Sequence, residues 1–209
     1  MWSHDFFENV LRNRGYCAIA GVDEVGRGAL AGPVVAAAVV LDGKGDYREI
    51  QDSKRLTAPL RERLAGRLHG EALGVGIAAV SESEIDRINI LQATRKAMLQ
   101  AVGILASAPD VVLVDGSWLP GLSIHCIGII HGDALSYSIA AASIVAKVHR
   151  DVFMKSLATR YPQYGFGQNK GYGTKQHLQA IAQYGPCPFH RRTFGGVREV
   201  LAAGGNDGC

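Results

Sequence analysis

The sequence predicts a three-layer α/β fold followed by a mainly helical, basic extension at its C-terminal end. Short apolar runs bounded by glycine, proline or aspartate alternate with longer stretches in which apolar residues recur at helical spacing. Apolar residues make up 47% and charged residues 20% of the 209 residues, as in an ordinary globular protein. A chain of this length can build one full hydrophobic core.

The first half of the chain is predicted to contain three strands and two helices. Apolar runs at residues 17–22, 34–41 and 73–80 are predicted strands, the second bounded by a proline and an Asp-Gly pair. Leucines at four-residue spacing predict an amphipathic helix over residues 57–68. A capping-box sequence, Ser-Glu-Ser-Glu, precedes one long helix predicted over residues 85–105.

The second half of the chain is predicted to contain two strands and two helices. Residues 111–114 and 124–130 are the predicted strands, and an Asp-Gly pair stops the first of them. A helix is predicted from about residue 134 to residue 161, with small residues that permit close packing on a sheet. A further short helix over residues 174–184 is stopped by Gly-Pro. We expect the glycine-rich tail, residues 204–209, to be frayed.

Composition argues against several classes of protein. The longest nearly unbroken apolar stretch, residues 29–41, is shorter than the roughly 20 residues that a membrane-spanning helix needs. Asp5 stands where a secretory signal has basic residues followed by an apolar run, so we expect a cytoplasmic protein without membrane contact. The four cysteines and seven histidines show no metal-ligand or redox spacing. If a metal binds, carboxylates must hold it.

Charge is distributed unevenly along the chain. Nine Lys or Arg residues and one acid, Asp151, give residues 136–198 a formal charge of +8, whereas the rest of the chain carries −5. Aromatic residues are interleaved with these bases, a pattern typical of a nucleic-acid surface. The alternative is that the bases only solvate helix faces, as the spacing of Lys147, Asp151 and Lys155 allows.

Four acids stand at the ends of predicted strands or just before a predicted helix, where the loops of an α/β sheet commonly bind ligands. They are Asp23, Glu24, Asp115 and Asp133. Each also has a simpler explanation, since the first three suit turns and Asp133 suits a helix N-cap. Neighbours in a regular strand point to opposite faces, so Asp23 and Glu24 can share one site only if the strand ends or bulges there.

Four clustered carboxylates repel one another and raise some of their own pKa values unless a cation neutralises them. Oxygen ligands suit Mg²⁺ or Mn²⁺. Two such ions about 4 Å apart can activate water and stabilise the leaving oxygen in phosphodiester hydrolysis. The acids therefore predict a site for hard divalent cations.

A glycine-rich segment, Gly26-Arg27-Gly28, follows the first pair of acids. The next glycine is Gly32, so the spacing of a dinucleotide-binding loop fails, and Pro33 blocks the helix that such a loop must open. Closely spaced glycines instead let the main chain approach a sugar or phosphate, to which Arg27 can add charged donors.

Several motifs occur in one order along nearly the whole chain, from about Tyr16 to Arg198. The first, residues 21–35, begins Gly-Val-Asp-Glu-Val-Gly-Arg-Gly; the others are Asp52-Ser53-Lys54, Val114-Asp115-Gly116, Gly132-Asp133, residues 141–151, residues 169–174 and His190-Arg191-Arg192-Thr193-Phe194. In this highly specific combination the sequence resembles the ribonuclease HII family.

The resemblance implies a ribonuclease H-like fold. Residues 1–160 would form a five-stranded mixed sheet flanked by helices, and residues 161–209 a small helical extension packed on it. The resemblance also implies a catalytic and metal-binding role, with two Mg²⁺ or Mn²⁺ ions in turnover, for Asp23, Glu24, Asp115 and Asp133. It further implies that the ribose 2′-hydroxyl is contacted by Gly26, Arg27 and Gly28, that Tyr172 packs against the next sugar, and that Lys54 contacts a phosphate.

The implied activity is endonucleolytic hydrolysis of the RNA strand of RNA/DNA hybrids. It includes incision 5′ of a single ribonucleotide in duplex DNA, which leaves 5′-phosphate and 3′-hydroxyl ends. We expect a monomer. The sequence departs from the family pattern at Ala29, His131 and Thr193, none of them an implied metal ligand. Two alternatives stay open: another metal-dependent nuclease of this fold, such as a junction resolvase, and a non-catalytic hybrid-binding module.

Overall fold

Five strands form one mixed sheet in the computed structural model, which describes residues 4–204. The strands are β1 (Ile19–Val25), β2 (Val34–Val40), β3 (Gly74–Val80), β4 (Val111–Asp115) and β5 (His125–Ile129). Their order across the sheet is β3-β2-β1-β4-β5; β1 is antiparallel to β2 and parallel to β4, which is parallel to β5. The predicted class, an α/β fold with a five-stranded mixed sheet flanked by helices, is confirmed.

Helices precede, connect and follow the strands. The described part of the chain contains α1 (Phe6–Asn13), α2 (Ala58–Glu71), α3 (Glu82–Ile88), α4 (Ile90–Gly103), α5 (Tyr137–Arg160), α6 (Phe166–Asn169), α7 (Lys175–Tyr184) and α8 (Arg198–Gly204). It also contains 3₁₀ turns at Ser53–Arg55, Gly132–Ala134 and Pro162–Tyr164. None of the helices within residues 4–204 is long and apolar enough to cross a membrane.

The chain divides into two compact units that interleave in sequence. The first unit consists of the chain up to Val25, Val35–Ala79 and Thr94–Val148; the second consists of Gly26–Val34, Val80–Ala93 and the chain from His149. Each unit is made of three separate segments of the chain, so no single position in the sequence divides them. The domain boundary expected at residue 160 therefore stays a prediction.

In the first unit, α5 packs closely on the central strand. A Cβ atom at Gly21 would lie 2.0 Å from the carbonyl carbon of Ser138, so only glycine fits there. The buried alanines 140–142 of α5 share a core cluster with Val35 and Val39 of β2. The small residues noted in the sequence thus lie at the contact between helix and sheet. The second unit has its own core, which includes Met154, Tyr164, Phe166, Ile181 and Val197.

Strand β1 extends further than the sequence predicts. It continues through the acidic pair to Val25, with Asp23 opposite Ala37 and Glu24 opposite Ala36 in regular antiparallel register. The predicted strand end at residue 22 is therefore wrong, and β1 ends instead at Val25, one residue after Glu24. Because the fully buried β2 pairs with β1 as far as Val25, β1 continues beyond Asp23 and Glu24.

The prediction of a single helix over residues 85–105 is also wrong. The chain forms α3 and α4 with a break at Asn89, whose φ of 66° is left-handed and whose side-chain oxygen accepts a hydrogen bond from the Gln92 N–H at 3.1 Å. The ψ of 163° takes Asn89 out of the helical conformation, which ends α3, and its side chain caps the next helix. Of the predicted capping box, Ser81 accepts from the Glu84 N–H at 3.3 Å.

Other differences concern short segments and the chain end. The sequence patterns do not predict the short helices α1, α6 and α8. The interpretation of Asp133 as an N-cap of the long helix is wrong, because Asp133 lies in the 3₁₀ turn Gly132–Ala134 and α5 begins at Tyr137. Of the tail expected to be frayed, residues 205–209 lie outside the described part of the chain.

Candidate active site

The four acids all belong to the first unit and come from three places in its fold. Asp23 and Glu24 lie near the end of β1, Asp115 is the last residue of β4, and Asp133 lies in the turn after β5. Strands β1 and β4 are parallel and pair Val22 with Val114. Asp23 and Asp115 therefore follow paired residues at the same end of neighbouring strands.

Main-chain donors fix two of these carboxylates. Asp115 Oδ1 accepts a hydrogen bond from the Gly132 N–H at 2.7 Å, which ties the end of β4 to the turn that carries Asp133. Asp23 Oδ1 accepts from the Glu24 N–H at 2.7 Å. His131, which precedes the turn, has a left-handed φ of 57°.

The cluster opposes its own ionisation. Burial raises the pKa of the Asp23 carboxyl well above its usual value, and the negative charges of the other three acids raise it further. Burial also raises the pKa of Asp115, with a further contribution from the charge of Asp133. Raised pKa values in a group of carboxylates mark a place where a cation would be stabilised.

Lys54 brings a positive charge to this cluster. Its Nζ lies 3.3 Å from Asp133 Oδ2 and 4.0 Å from Asp52 Oδ1, and Asp52 itself accepts from the Lys54 N–H at 2.9 Å. Burial lowers the pKa of Lys54, but the charges of Asp133, Asp52 and Asp23 outweigh burial and leave the pKa raised. The side chain is 78% exposed, so solvent and a ligand can both reach it.

The acids suit a hard divalent cation by their chemistry, since all four offer carboxylate oxygens. Among residues 4–204, no three His, Cys, Asp or Glu side chains are already drawn together as metal ligands. The electrostatic coupling of the four acids is the feature that fits a cation. The structure thus brings together Asp23, Glu24, Asp115, Asp133 and Lys54 in one electrostatic group.

The glycine loop and Tyr172 belong to the second unit. Gly26 has a φ of 94°, a conformation that favours glycine, and a Cβ on Gly28 would meet open space. The main chain links the loop to the Tyr172 segment, because the Leu30 N–H donates to the Gly171 carbonyl at 2.8 Å. Tyr172 is 37% exposed.

A chain of hydrogen bonds through two buried histidines holds the main chain at Tyr172. The Cys187 N–H donates to His190 Nδ1 at 2.9 Å, so His190 carries its proton on Nε2 and donates to His177 Nε2 at 3.0 Å. His177 then carries its proton on Nδ1 and donates to the Tyr172 carbonyl at 2.9 Å. Burial lowers the pKa of His177, and burial with the charge of His177 lowers the pKa of His190 to about 4.

Two arginines that support the loop are missed by the sequence reasoning. The basic pattern of residues 136–198 predicts that Arg150 and Arg191 lie on a nucleic-acid surface, yet both are fully buried. That part of the expectation is wrong for these two residues. The signal available in the sequence was the position of Arg150 on one edge of α5 with Ile139, Ser143 and Ala146. The two histidines, His177 and His190, are buried and hydrogen bonded to each other.

The profile of a family described as ribonuclease HII matches residues 20–197. The chain belongs to the ribonuclease HII family. A ribonuclease HII from Geobacter metallireducens is 53% identical over 196 residues, which cover 94% of this chain and 92% of the relative. One from Chlamydia muridarum is 50% identical over 199 residues, covering 95% and 91%. The crystal structure of ribonuclease H2 from Pyrococcus horikoshii OT3 is similar with a TM-score of 0.75 and 27% identity, covering 91% of this chain and all of that one.

Ribonuclease HII proteins are divalent-metal-dependent endoribonucleases that act on the RNA of RNA/DNA hybrids, and membership gives this chain the same general activity. The predicted family and enzyme class are confirmed.

Proposed function

We propose that this protein hydrolyses the RNA strand of RNA/DNA hybrids and also incises duplex DNA on the 5′ side of a single ribonucleotide. The products carry 5′-phosphate and 3′-hydroxyl ends. The observation that supports a hydrolytic site is the electrostatic cluster of four acids at the ends of β1 and β4 and in the turn after β5.

In this proposal the metal-binding and catalytic residues are Asp23, Glu24, Asp115 and Asp133. Mg²⁺ or Mn²⁺, two ions during turnover, supplies Lewis-acid stabilisation of the phosphate and activation of water when bound. The acids attract the cations because their own repulsion is relieved on binding. The hydrogen bond from Gly132 to Asp115 keeps Asp133 on its turn near the end of β4.

Lys54 has two tasks in this proposal. It lies against Asp133 and reduces the repulsion in the acid cluster. Its exposed ammonium group can also contact a substrate phosphate, since a lysine on a flexible stem acts as a mobile point charge.

Substrate selection is assigned to the second unit. The main chain at Gly26 and Gly28, with Arg27, contacts the ribose 2′-hydroxyl, which is the group that distinguishes RNA from DNA. Tyr172 packs its exposed ring face against the sugar of the next nucleotide. The partners are accordingly RNA/DNA hybrid and ribonucleotide-containing duplex DNA, bound by a cytoplasmic monomer.

The test uses a labelled DNA duplex with one ribonucleotide, incubated with Mg²⁺, with Mn²⁺ or with chelator, beside an all-DNA duplex. We expect metal-dependent incision on the 5′ side of the ribonucleotide and an intact all-DNA control. Cleavage of the all-DNA duplex would favour a nuclease of this fold with another substrate preference. Binding of the duplex without any incision would favour a hybrid-binding module.

A further inference from the structure

Two arginine side chains of the second unit, Arg150 and Arg191, are fully buried, and no carboxylate among the described residues forms an ion pair with either of them. Within residues 4–204, every hydrogen-bond acceptor recorded for their guanidinium groups is a main-chain carbonyl oxygen. Buried charged side chains are normally paired with an opposite charge. These two groups instead donate to carbonyls of the loop formed by residues 26–33 and to the carbonyl of Lys170.

Arg191 fixes the part of the loop that contains the glycine motif. Its Nη2 donates to the Gly26 carbonyl at 2.7 Å, its Nη1 to the Arg27 carbonyl at 2.8 Å, and its Nε to the Gly32 carbonyl at 3.0 Å. In a trans peptide the C=O and the following N–H point in opposite directions. The N–H groups of Arg27 and Gly28 are therefore turned away from the buried guanidinium.

Arg150 fixes the other end of the loop together with the Tyr172 segment. It donates to the carbonyls of Ala31 and Pro33, each at 3.0 Å, and to the carbonyl of Lys170 at 2.9 Å. Its guanidinium carbon also lies 5.5 Å from the centre of the Tyr172 ring, within the range of a cation–π contact. One side chain thus contacts both elements assigned to substrate selection.

The packing around this pair leaves the loop little freedom. A Cβ atom on Gly26 would lie 2.2 Å from Arg150 Nε, and one on Gly32 would lie 2.5 Å from the Met154 sulfur. Gly26 is therefore required by Arg150 and Gly32 by Met154, in addition to the left-handed backbone at both positions. Burial and the like charge of Arg150 lower the pKa of Arg191 to about 9, so ionised arginine is retained there against an electrostatic cost.

We propose that Arg191 and Arg150 are positioning residues for ribonucleotide selection: they hold the carbonyls of residues 26–33 inward, turn the loop N–H groups outward, and orient the Tyr172 ring. This inference rests on the proposed role of the loop and Tyr172 in substrate selection. Charge beneath the peptides also polarises them and strengthens their outward N–H groups as donors. A lysine, with a single ammonium group, cannot reproduce the planar fork of donors.

The experiment compares Arg191→Lys and Arg150→Lys with Arg160→Lys as the matched control. Arg160 is exposed and stacks on the Tyr161 ring at 5.6 Å, so it presents the same chemistry on α5 away from the loop carbonyls. Arg150→Lys also serves as the second variant if Arg191→Lys does not fold, because it leaves the Arg191 contacts in place. Two quantities are measured: amide hydrogen exchange of residues 26–34, and the ratio of kcat/KM on a single-ribonucleotide duplex to kcat/KM on a long RNA/DNA hybrid.

In both test variants we expect faster exchange over residues 26–34 and a ratio lowered by about tenfold, the effect of one lost charge-assisted hydrogen bond. The control should change neither quantity. Unchanged loop exchange would overturn the inference, and so would faster exchange with an unchanged ratio. If the wild type does not incise a single ribonucleotide, the proposed function fails, whereas the exchange result still decides whether the arginines hold the loop.

Discussion

Each of the two units gathers side chains of like charge, and the two units treat that charge in opposite ways. In the first unit, Asp23 and Asp115 have raised pKa values because burial and neighbouring carboxylates oppose their ionisation. In the second unit, the guanidinium groups of Arg150 and Arg191 are surrounded by carbonyl oxygens. The first arrangement sets one exposed lysine, Lys54, against four carboxylates and favours a cation from solution. The second arrangement is satisfied within the protein and holds a loop.

Buried charge therefore has two different consequences in this protein. In the acid cluster, each negative charge raises the pKa of its neighbours. Removal of one carboxylate charge should therefore reduce repulsion in the folded state and abolish cleavage. Where each guanidinium nitrogen donates a hydrogen bond to a carbonyl, loss of the side chain leaves carbonyl oxygens without donors and should weaken the fold.

The largest expected effect is that of Asp115→Asn on activity. We expect cleavage of an RNA/DNA hybrid to fall by roughly 10³-fold or more, because a charged metal-binding group is lost at the reaction centre. The asparagine oxygen can still accept from Gly132, and one repelling charge is gone, so the metal-free Tm should stay the same or rise. Steady-state rates and thermal unfolding check both parts, with exposed Glu71→Gln as the control. A collapsed Tm would instead make Asp115 a structural residue.

The second effect is that of Arg191→Met on stability. The methionine has no donor for the carbonyls of Gly26, Arg27 and Gly32, so we expect a loss of about 3 kcal/mol in the free energy of unfolding. Urea unfolding measures the loss. The neighbouring Arg192→Met, at an exposed side chain, should cost less than about 0.5 kcal/mol. Equal stability of the two variants would contradict the contrast between the units.

The third effect is a pH dependence from the buried histidine pair. The folded pKa of His190 is about 4, whereas an unfolded histidine titrates near 6.5. The unfolded chain therefore takes up its proton first as the pH falls. The stability contributed by neutral His190 is complete above pH 6.5 and decreases toward pH 4, by roughly 2–3 kcal/mol.

Urea unfolding at pH 7, 5.5 and 4 measures this dependence in the wild type and in His190→Asn. The variant should lose less stability over the same pH range. Protonation of the acid cluster changes the stability in the opposite direction. Because the pKa of Asp23 is raised in the folded state, its protonation at low pH reduces repulsion and stabilises the folded first unit. Parallel curves for the two proteins would show that His190 does not carry the effect.

The smallest expected effect is that of Tyr172→Ala. The ring is partly exposed, so we expect a loss of less than about 1 kcal/mol in stability. Because the proposed contact of Tyr172 is with the sugar of the nucleotide that follows the ribonucleotide, it favours cleavage at an RNA-to-DNA junction. We expect this preference to fall by about tenfold, as for one lost stacking contact. Mapping of cleavage positions on a junction substrate measures the preference, with Tyr184→Ala as an exposed aromatic control. Unchanged cleavage positions would count against the role of Tyr172.

The sequence predicts the acid cluster better than the structures that support the loop. Aspartates after apolar runs mark strand ends, and parallel β1 and β4 then place Asp23 and Asp115 side by side. Arg150 and Arg191 look like any other bases in a basic segment, because their burial depends on carbonyls of residues 26–33, which are distant in the chain. The break at Asn89 escapes helical periodicity for a related reason, since apolar spacing continues across it.

The pairing of β1 with β4 joins two strands that are far apart in the sequence, so the site is complete only late in synthesis. Ile19 lies opposite Val111, and the chain between them contains β2, β3 and the helices α2 to α4. A chain growing from its N-terminus therefore contains Asp23 and Glu24 long before it contains Asp115 and Asp133. Fragments whose translation stops before β4 carry half of the proposed acids and no parallel partner for β1. If the four acids form the site, we expect nuclease activity only from chains whose synthesis has passed β5 and the turn that follows.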